Sequence, residues 1–201
     1  MLELINLEKK YKEHIVLSNV TLSFSEGNLY ILQGVNGSGK STLLKIIAGI
    51  IYKSQGKLIK TGSISYLPDK FSMPKLMKVK NYLLEVFFDK KDKLSYYNEY
   101  ISLYQIPNKR IGDLSKGNQQ KLAILQILSY SADIYLLDEP LDGLDDYAKK
   151  VFREEVRKKL EDKKIVILSL QNKAYFNELN PITIDIKEGM VNEKKRRKET
   201  N

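Results

Sequence analysis

A chain of 201 residues with 42% hydrophobic and 29% charged side chains can fill the core of one ordinary domain, which excludes both a multidomain machine and wholesale disorder. It has no cysteine and one histidine, His14, which rules out disulfides, thiolate zinc sites and multi-histidine centres, so any metal must be held by oxygen. Lysine and arginine exceed acids by 34 to 25, and the resulting charge of +9 favours polyanions as partners: nucleotide, nucleic acid or anionic lipid.

Four short strands are predicted first, at Leu2–Leu7, Ile15–Leu17, Val20–Phe24 and Leu29–Leu32, divided by polar turns such as Ser25-Glu26-Gly27-Asn28. At Gly34 a glycine-rich turn interrupts the alternation. The helix after it, Lys40–Ala48, places Leu43, Leu44, Ile47 and Ala48 on one face and ends at Gly49. Lys57–Lys60 and Ser63–Leu67 read as two further strands, closed by Pro68. From Lys70 to Asp113 the β-like alternation is gone, and Val79–Phe88 and Leu94–Tyr104 fit two helices of a small helical subdomain.

After Gly117 the spacing of Leu122, Leu125 and Leu128 predicts a helix, followed by Ile134–Leu137, an apolar run suited to a parallel strand buried on both faces. Ala148, Phe152, Val156 and Leu160 repeat every four residues along a charged helix that leads into the strand Ile165–Leu170. That order predicts a right-handed parallel crossover. Ile182–Ile186 is the last strand expected, ahead of the turn Lys187-Glu188-Gly189. The final run from Glu193 to Asn201 reads as a basic tail, either solvated or in contact with a membrane surface or nucleic acid. The expected organisation is α/β: residues 1–69 and 114–192 form a core with an N-terminal antiparallel β subdomain, 70–113 the helical subdomain and 193–201 the tail.

Gly34-Val35-Asn36-Gly37-Ser38-Gly39-Lys40-Ser41 satisfies the P-loop pattern, with Thr42 following. Its glycines let successive N–H groups turn toward phosphate oxygens, and the helix behind adds its positive end. Lys40 is placed to reach the β- and γ-phosphates, and Ser41 to offer its hydroxyl to magnesium. The second element is Ile134-Tyr135-Leu136-Leu137-Asp138-Glu139-Pro140, an apolar strand that delivers two acids at its end. Ligands of parallel sheets sit beyond the strands' carboxyl ends, so these acids should meet the P-loop at one crevice. Neighbouring residues of a strand point to opposite sides, which predicts separate roles: Asp138 on the magnesium shell, Glu139 orienting or deprotonating water.

With these residues the chain resembles the ATP-binding cassette of ABC proteins over nearly its whole length. Leu114-Ser115-Lys116-Gly117-Asn118-Gln119-Gln120 resembles the family's signature loop, and Leu141-Asp142-Gly143-Leu144-Asp145 its D-loop. The resemblance implies a P-loop NTPase (RecA-like) core with a mainly parallel sheet. It also implies that Tyr11 stacks on adenine, with core or surface packing as the alternative. In the family two cassettes meet head to tail, so the resemblance implies composite sites in which Ser115, Lys116, Gly117 and Asn118 of one subunit close over the γ-phosphate held by the other, with Asp145 in the D-loop. Three of the family's motifs depart from the pattern, at four positions. Lys116 and Asn118 replace a glycine and a glutamine of the signature, Asp69 replaces the Q-loop glutamine as a shorter candidate magnesium ligand, and Gln171 stands where the family has its switch histidine. A charged contact at about 4 Å with an effective dielectric near 20 is worth roughly 4 kcal/mol, against about 1.5 to 3 for a hydrogen bond to a charged group, so Gln171 implies slow hydrolysis.

No apolar run approaches the ~18 to 20 residues needed to cross a bilayer, and Glu3, Lys9 and Lys10 occupy a terminus where a signal peptide needs an apolar stretch. The expectation is therefore an ATP-hydrolysing subunit, using Mg²⁺ with ATP, that pairs with a second cassette and drives a membrane permease on another chain, exporter-like, from the inner face of the cell membrane. In this reading Tyr96, Tyr97, Tyr100 and Tyr104 either contact the permease or pack half-buried. Two alternatives stand beside it: a soluble ATPase acting on nucleic acid, ribosome or chromosome, and an ATP-gated regulatory module with little turnover. Nucleic acid is the weaker partner, because non-transport members of the family usually carry two cassettes or a long coiled-coil insertion and this chain has neither.

Overall fold

The computed structural model describes residues 1–194. β1 (Leu2–Tyr11) pairs antiparallel with β2 (His14–Phe24) on one side, and on the other with β4 (Gln55–Lys60), giving a three-stranded antiparallel sheet. Leu2, Leu4 and Leu7 of β1 and Leu17, Val20, Leu22 and Phe24 of β2 line its buried face, a period-2 alternation that slips by one residue where Asn6 and Asn19 take positive φ at register shifts.

The second sheet is six-stranded, in the order β5 (Ile64–Leu67), β6 (Ile134–Asp138), β7 (Ile165–Ser169), β3 (Leu29–Gln33), β8 (Ile182–Lys187) and β9 (Met190–Lys194). The first five run parallel, and β9 returns antiparallel to β8. All five residues of β6 and of β7 are buried, which is why both read as unbroken apolar runs. Alternate residues of β6 serve two cores. Ile134 and Leu136 join α1 (Lys40–Ala48) and the antiparallel sheet; Tyr135 and Leu137 join α2 (Val79–Val86), α3 (Lys93–Tyr104), α4 (Lys116–Ser129) and α5 (Asp146–Glu161).

Several boundaries differ from the sequence reading. β2 is one strand through Ser18-Asn19: Asn19 takes φ 49° at a register shift against β1, so the ladder bulges there without ending. β1 runs on to Tyr11, and α4 begins at Lys116 with Ser115 as its N-cap. After β8, Glu188 and Gly189 both take positive φ in a two-residue turn, and β9 follows. Glu193 and Lys194, read as tail, thus belong to a strand; residues 195–201 lie outside the described residues.

Strand register fixes the site. Leu32, at the end of β3, is level with Ser169 of β7, and Ser169 with Asp138 of β6, so three carboxyl ends finish at one edge of the sheet.

Candidate functional site

Gly34 to Gly39 connect β3 to α1 with Gly34, Gly37 and Gly39 all at positive φ. At Gly34 a Cβ would lie 2.4 Å from the Ile186 carbonyl oxygen and 2.5 Å from Ser38 Oγ, so only glycine fits. At Gly37 a Cβ would meet nothing within 4 Å; the loop is open there. Gly39 caps α1 without a side-chain bond, which leaves the first N–H groups of the helix available to an anion. Lys40 is buried, and its Nζ donates to the Gly34 and Val35 carbonyls at 2.8 and 3.2 Å while standing 3.8 Å from Glu139 Oε1.

These residues form one wall of a cleft of about 350 Å³ lined by Asn36, Gly37, Gly39, Lys40, Ser41, Thr42, Asp69, Glu139, Asp142 and Gln171. A neighbouring cleft of about 610 Å³ runs past Gly34, Val35 and Ser38 to His14, Ile15, Val16 and the Asp185–Gly189 segment. P-loop, Asp69, Glu139 and Gln171, separated by up to 135 positions in sequence, are thus brought together; the Gln171 Nε2 donates to Asn36 Oδ1 at 3.5 Å.

Asp138 lies beneath this surface, 1% exposed, and is held by Ser169, whose Oγ donates to its Oδ1 at 2.5 Å. The same hydroxyl accepts from the Glu139 backbone N–H at 2.9 Å. Glu139 leaves the strand at φ 48°, so the two acids are parted by a left-handed turn and not by strand alternation as expected. Burial raises the Glu139 pKa above the ordinary carboxylate value; the Lys40 ammonium opposes that shift, and Asp142, Asp138 and Asp69 add to it.

Sequence reasoning passed over Ser169, Asp142 and the second cleft. A serine ending an apolar strand carries no signal of its own, whereas Asp142 was within reach as part of the segment after Pro140.

Other expected residues lie apart. Tyr11, 46% exposed, is outside both clefts, with Lys9 Nζ 4.4 Å from its ring centroid. Ser115, Lys116, Gly117 and Asn118 line neither cleft; Ser115 Oγ accepts from Asn118 N at 3.3 Å, and Ser115 and Lys116 are exposed. Asp145 caps α5 by accepting from Ala148 N and pairs with the buried Lys121 at 2.7 Å. In the helical segment Tyr97 and Tyr104 are buried and Tyr96 is exposed, while Phe87 and Tyr96 both pack on the Tyr100 ring.

Residues 17–142 match the ABC transporter family. The chain is 36% identical over 174 residues to the cytochrome c biogenesis ATP-binding export protein CcmA of Reclinomonas americana, covering 77% of this chain and 78% of that one. It is 31% identical over 160 residues to the zinc import ATP-binding protein ZnuC of Wolbachia sp. subsp. Brugia malayi, covering 76% and 65%. A solved dimeric ATP-binding cassette in a post-hydrolysis state with ADP and Pi superposes with a TM-score of 0.85 at 24% identity, covering 98% of this chain and all of that one, which shows the shared fold. A phosphate cradle, a buried acid and a polarised glutamate on one sheet edge therefore sit in a sequence whose relatives are ATP-binding subunits: the chain belongs to the ABC transporter family and is an ATP-binding, ATP-hydrolysing cassette.

Proposed function

We propose that two such cassettes close head to tail on Mg-ATP and, from the inner face of the membrane, drive a permease carried on another chain. The supporting observation is the position of α4. Its N-terminus, capped by Ser115 and bearing exposed Lys116, lines neither cleft of its own chain, which supports a second cassette as the source of the loop that reaches the nucleotide. No helix among the described residues is long and apolar enough to cross a membrane, consistent with a separate permease. The relatives include both an export and an import protein, and direction follows from the permease.

No group of three or more His, Asp or Glu among the described residues could hold a metal alone. A hydroxyl at Ser41, carboxylates at Asp138 and Asp69 and the oxygens of the nucleotide nevertheless make the hard, all-oxygen set that magnesium takes when it binds with its substrate. Magnesium held by these residues would supply neutralisation of the phosphate charge. Lys40 exchanges its loop carbonyls for phosphate oxygens, and Glu139 orients a water and accepts its proton, a task favoured by a pKa that burial raises above the ordinary carboxylate value. Gln171 donates a neutral hydrogen bond at the γ-phosphate end, which predicts slow turnover.

Glu139→Gln tests the reading: with Mg-ATP it should retain nucleotide, lose phosphate release and run as a dimer by light scattering. A variant that binds ATP yet stays monomeric overturns the two-cassette model, and parental phosphate release no higher than that of the variant overturns hydrolysis.

A further inference from the structure

Tyr66 is the middle of β5, level with Leu136 of β6. Its neighbour Ser65 points to the opposite face, where its Oγ donates to the Ile127 carbonyl of α4 at 3.0 Å. Tyr66 therefore faces α1, packing against the cluster that holds Leu43, Leu44 and Leu136. Asp138, two residues beyond Leu136, comes up on that same face.

The ring is well accommodated, but the hydroxyl is not. Among the described residues Tyr66 Oη is buried and has no hydrogen-bond partner. An orphaned buried hydroxyl is costly, and a phenylalanine would fill the same space without that cost. Its surroundings are polar all the same: after burial, the negative charges of Asp138 and then Asp69 raise the phenol's pKa, so both carboxylates act on this group and keep it protonated. A neutral, unpartnered O–H on the sheet face that also carries Asp138, three residues before the cleft-lining Asp69, is arranged to fix a water.

Resting on the reading of Asp138 given above, we infer that Tyr66 is a positioning residue for the metal-nucleotide complex, its hydroxyl anchoring a water that also touches Asp138 and Asp69 and so steadies the coordination shell. The partner missing inside the chain is then supplied by that water. Groups that orient the shell around a metal typically set its affinity by about 10- to 100-fold.

Tyr66→Phe removes only the hydroxyl. Manganese binding in the presence of a non-hydrolysable ATP analogue, followed by electron paramagnetic resonance, should weaken about tenfold or more. The melting temperature without metal should hold or rise, and analogue binding in EDTA should be unchanged. Asp69→Asn, an exposed substitution, should move manganese affinity in the same direction. If Asp138→Asn weakens manganese binding but Tyr66→Phe leaves it within twofold of the parent, the inference is wrong while the reading of Asp138 stands. If neither changes it, the metal site itself is misassigned.

Discussion

Ser169 shows how much one hydroxyl can organise. It is fully buried, donates to Asp138 at 2.5 Å and accepts from the Glu139 N–H at 2.9 Å, so it sets the direction of both acids at once. Ser169→Ala leaves Glu139 N its bond to the Ser169 carbonyl at 3.2 Å but takes a donor from a buried carboxylate. A hydrogen bond to a charged group is worth about 1.5–3 kcal/mol, which corresponds to roughly a 10- to 100-fold fall in kcat if it is realised in the transition state. ATP affinity should stay within a few-fold, because the P-loop is untouched. Steady-state phosphate release together with an ATP titration checks both; an unchanged kcat would mean that Ser169 only packs. The P-loop itself was readable in advance, since spacing alone encodes its chemistry. Ser169 was not, because its importance comes from lying opposite Asp138 in the β6–β7 register.

α4 is fastened to the segment after β6 at three points. Gln120 Nε2 donates to the Pro140 carbonyl at 3.1 Å, Lys121 pairs with Asp145 at 2.7 Å, and a Cβ on Gly117 would lie 2.4 Å from the Gly143 carbonyl oxygen. The Lys121 bond is the main reason the Asp145 carboxyl titrates below its ordinary value. By helix propensity alone Gly117→Ala would stabilise by about 1 kcal/mol. The contact with Gly143 reverses the sign, and overpacking against backbone should cost about 1–3 kcal/mol net, a melting temperature lower by roughly 2–4 °C per kcal/mol in a chain of this size. A calorimetric scan that shows a higher melting temperature would refute the close contact. None of these three tethers could be read from the sequence, which showed Gly117 only as part of a signature-like loop. Helices and buried strands were legible from their periodicity, whereas β9 was not. Met190-Val191-Asn192-Glu193-Lys194 is too polar to announce a strand, and it forms because the positive-φ turn at Glu188-Gly189 aims it back along β8.

The parallel sheet divides its labour between its two edges. Its carboxyl edge carries the P-loop, Glu139 and Gln171, while its amino edge is closed by a knot around Asp133, which accepts from Ser63 N at 2.9 Å, Ser63 Oγ at 3.1 Å and Lys164 Nζ at 3.1 Å. The Ser63 amide, followed by Lys164, pulls the Asp133 carboxyl down to about 2. A carboxylate lowered in the folded state contributes stability that is present above the unfolded pKa and lost as pH falls toward the folded one. Asp133→Asn should therefore melt below the parent near neutral pH, and the gap should narrow as pH drops from roughly 4 toward about 2. Other acids titrate in both proteins, so comparing the two isolates this contribution for a site far from the nucleotide. Turnover per folded molecule should be unaffected, because the knot joins the start of β5 to the starts of β6 and β7 and touches none of the cleft residues. Thermal melts across that pH range, paired with phosphate release below the melting temperature, decide the matter. A gap that persists at the acid end would show that the lost charge is not the cause, and a loss of turnover without loss of folded protein would show that the two edges are coupled.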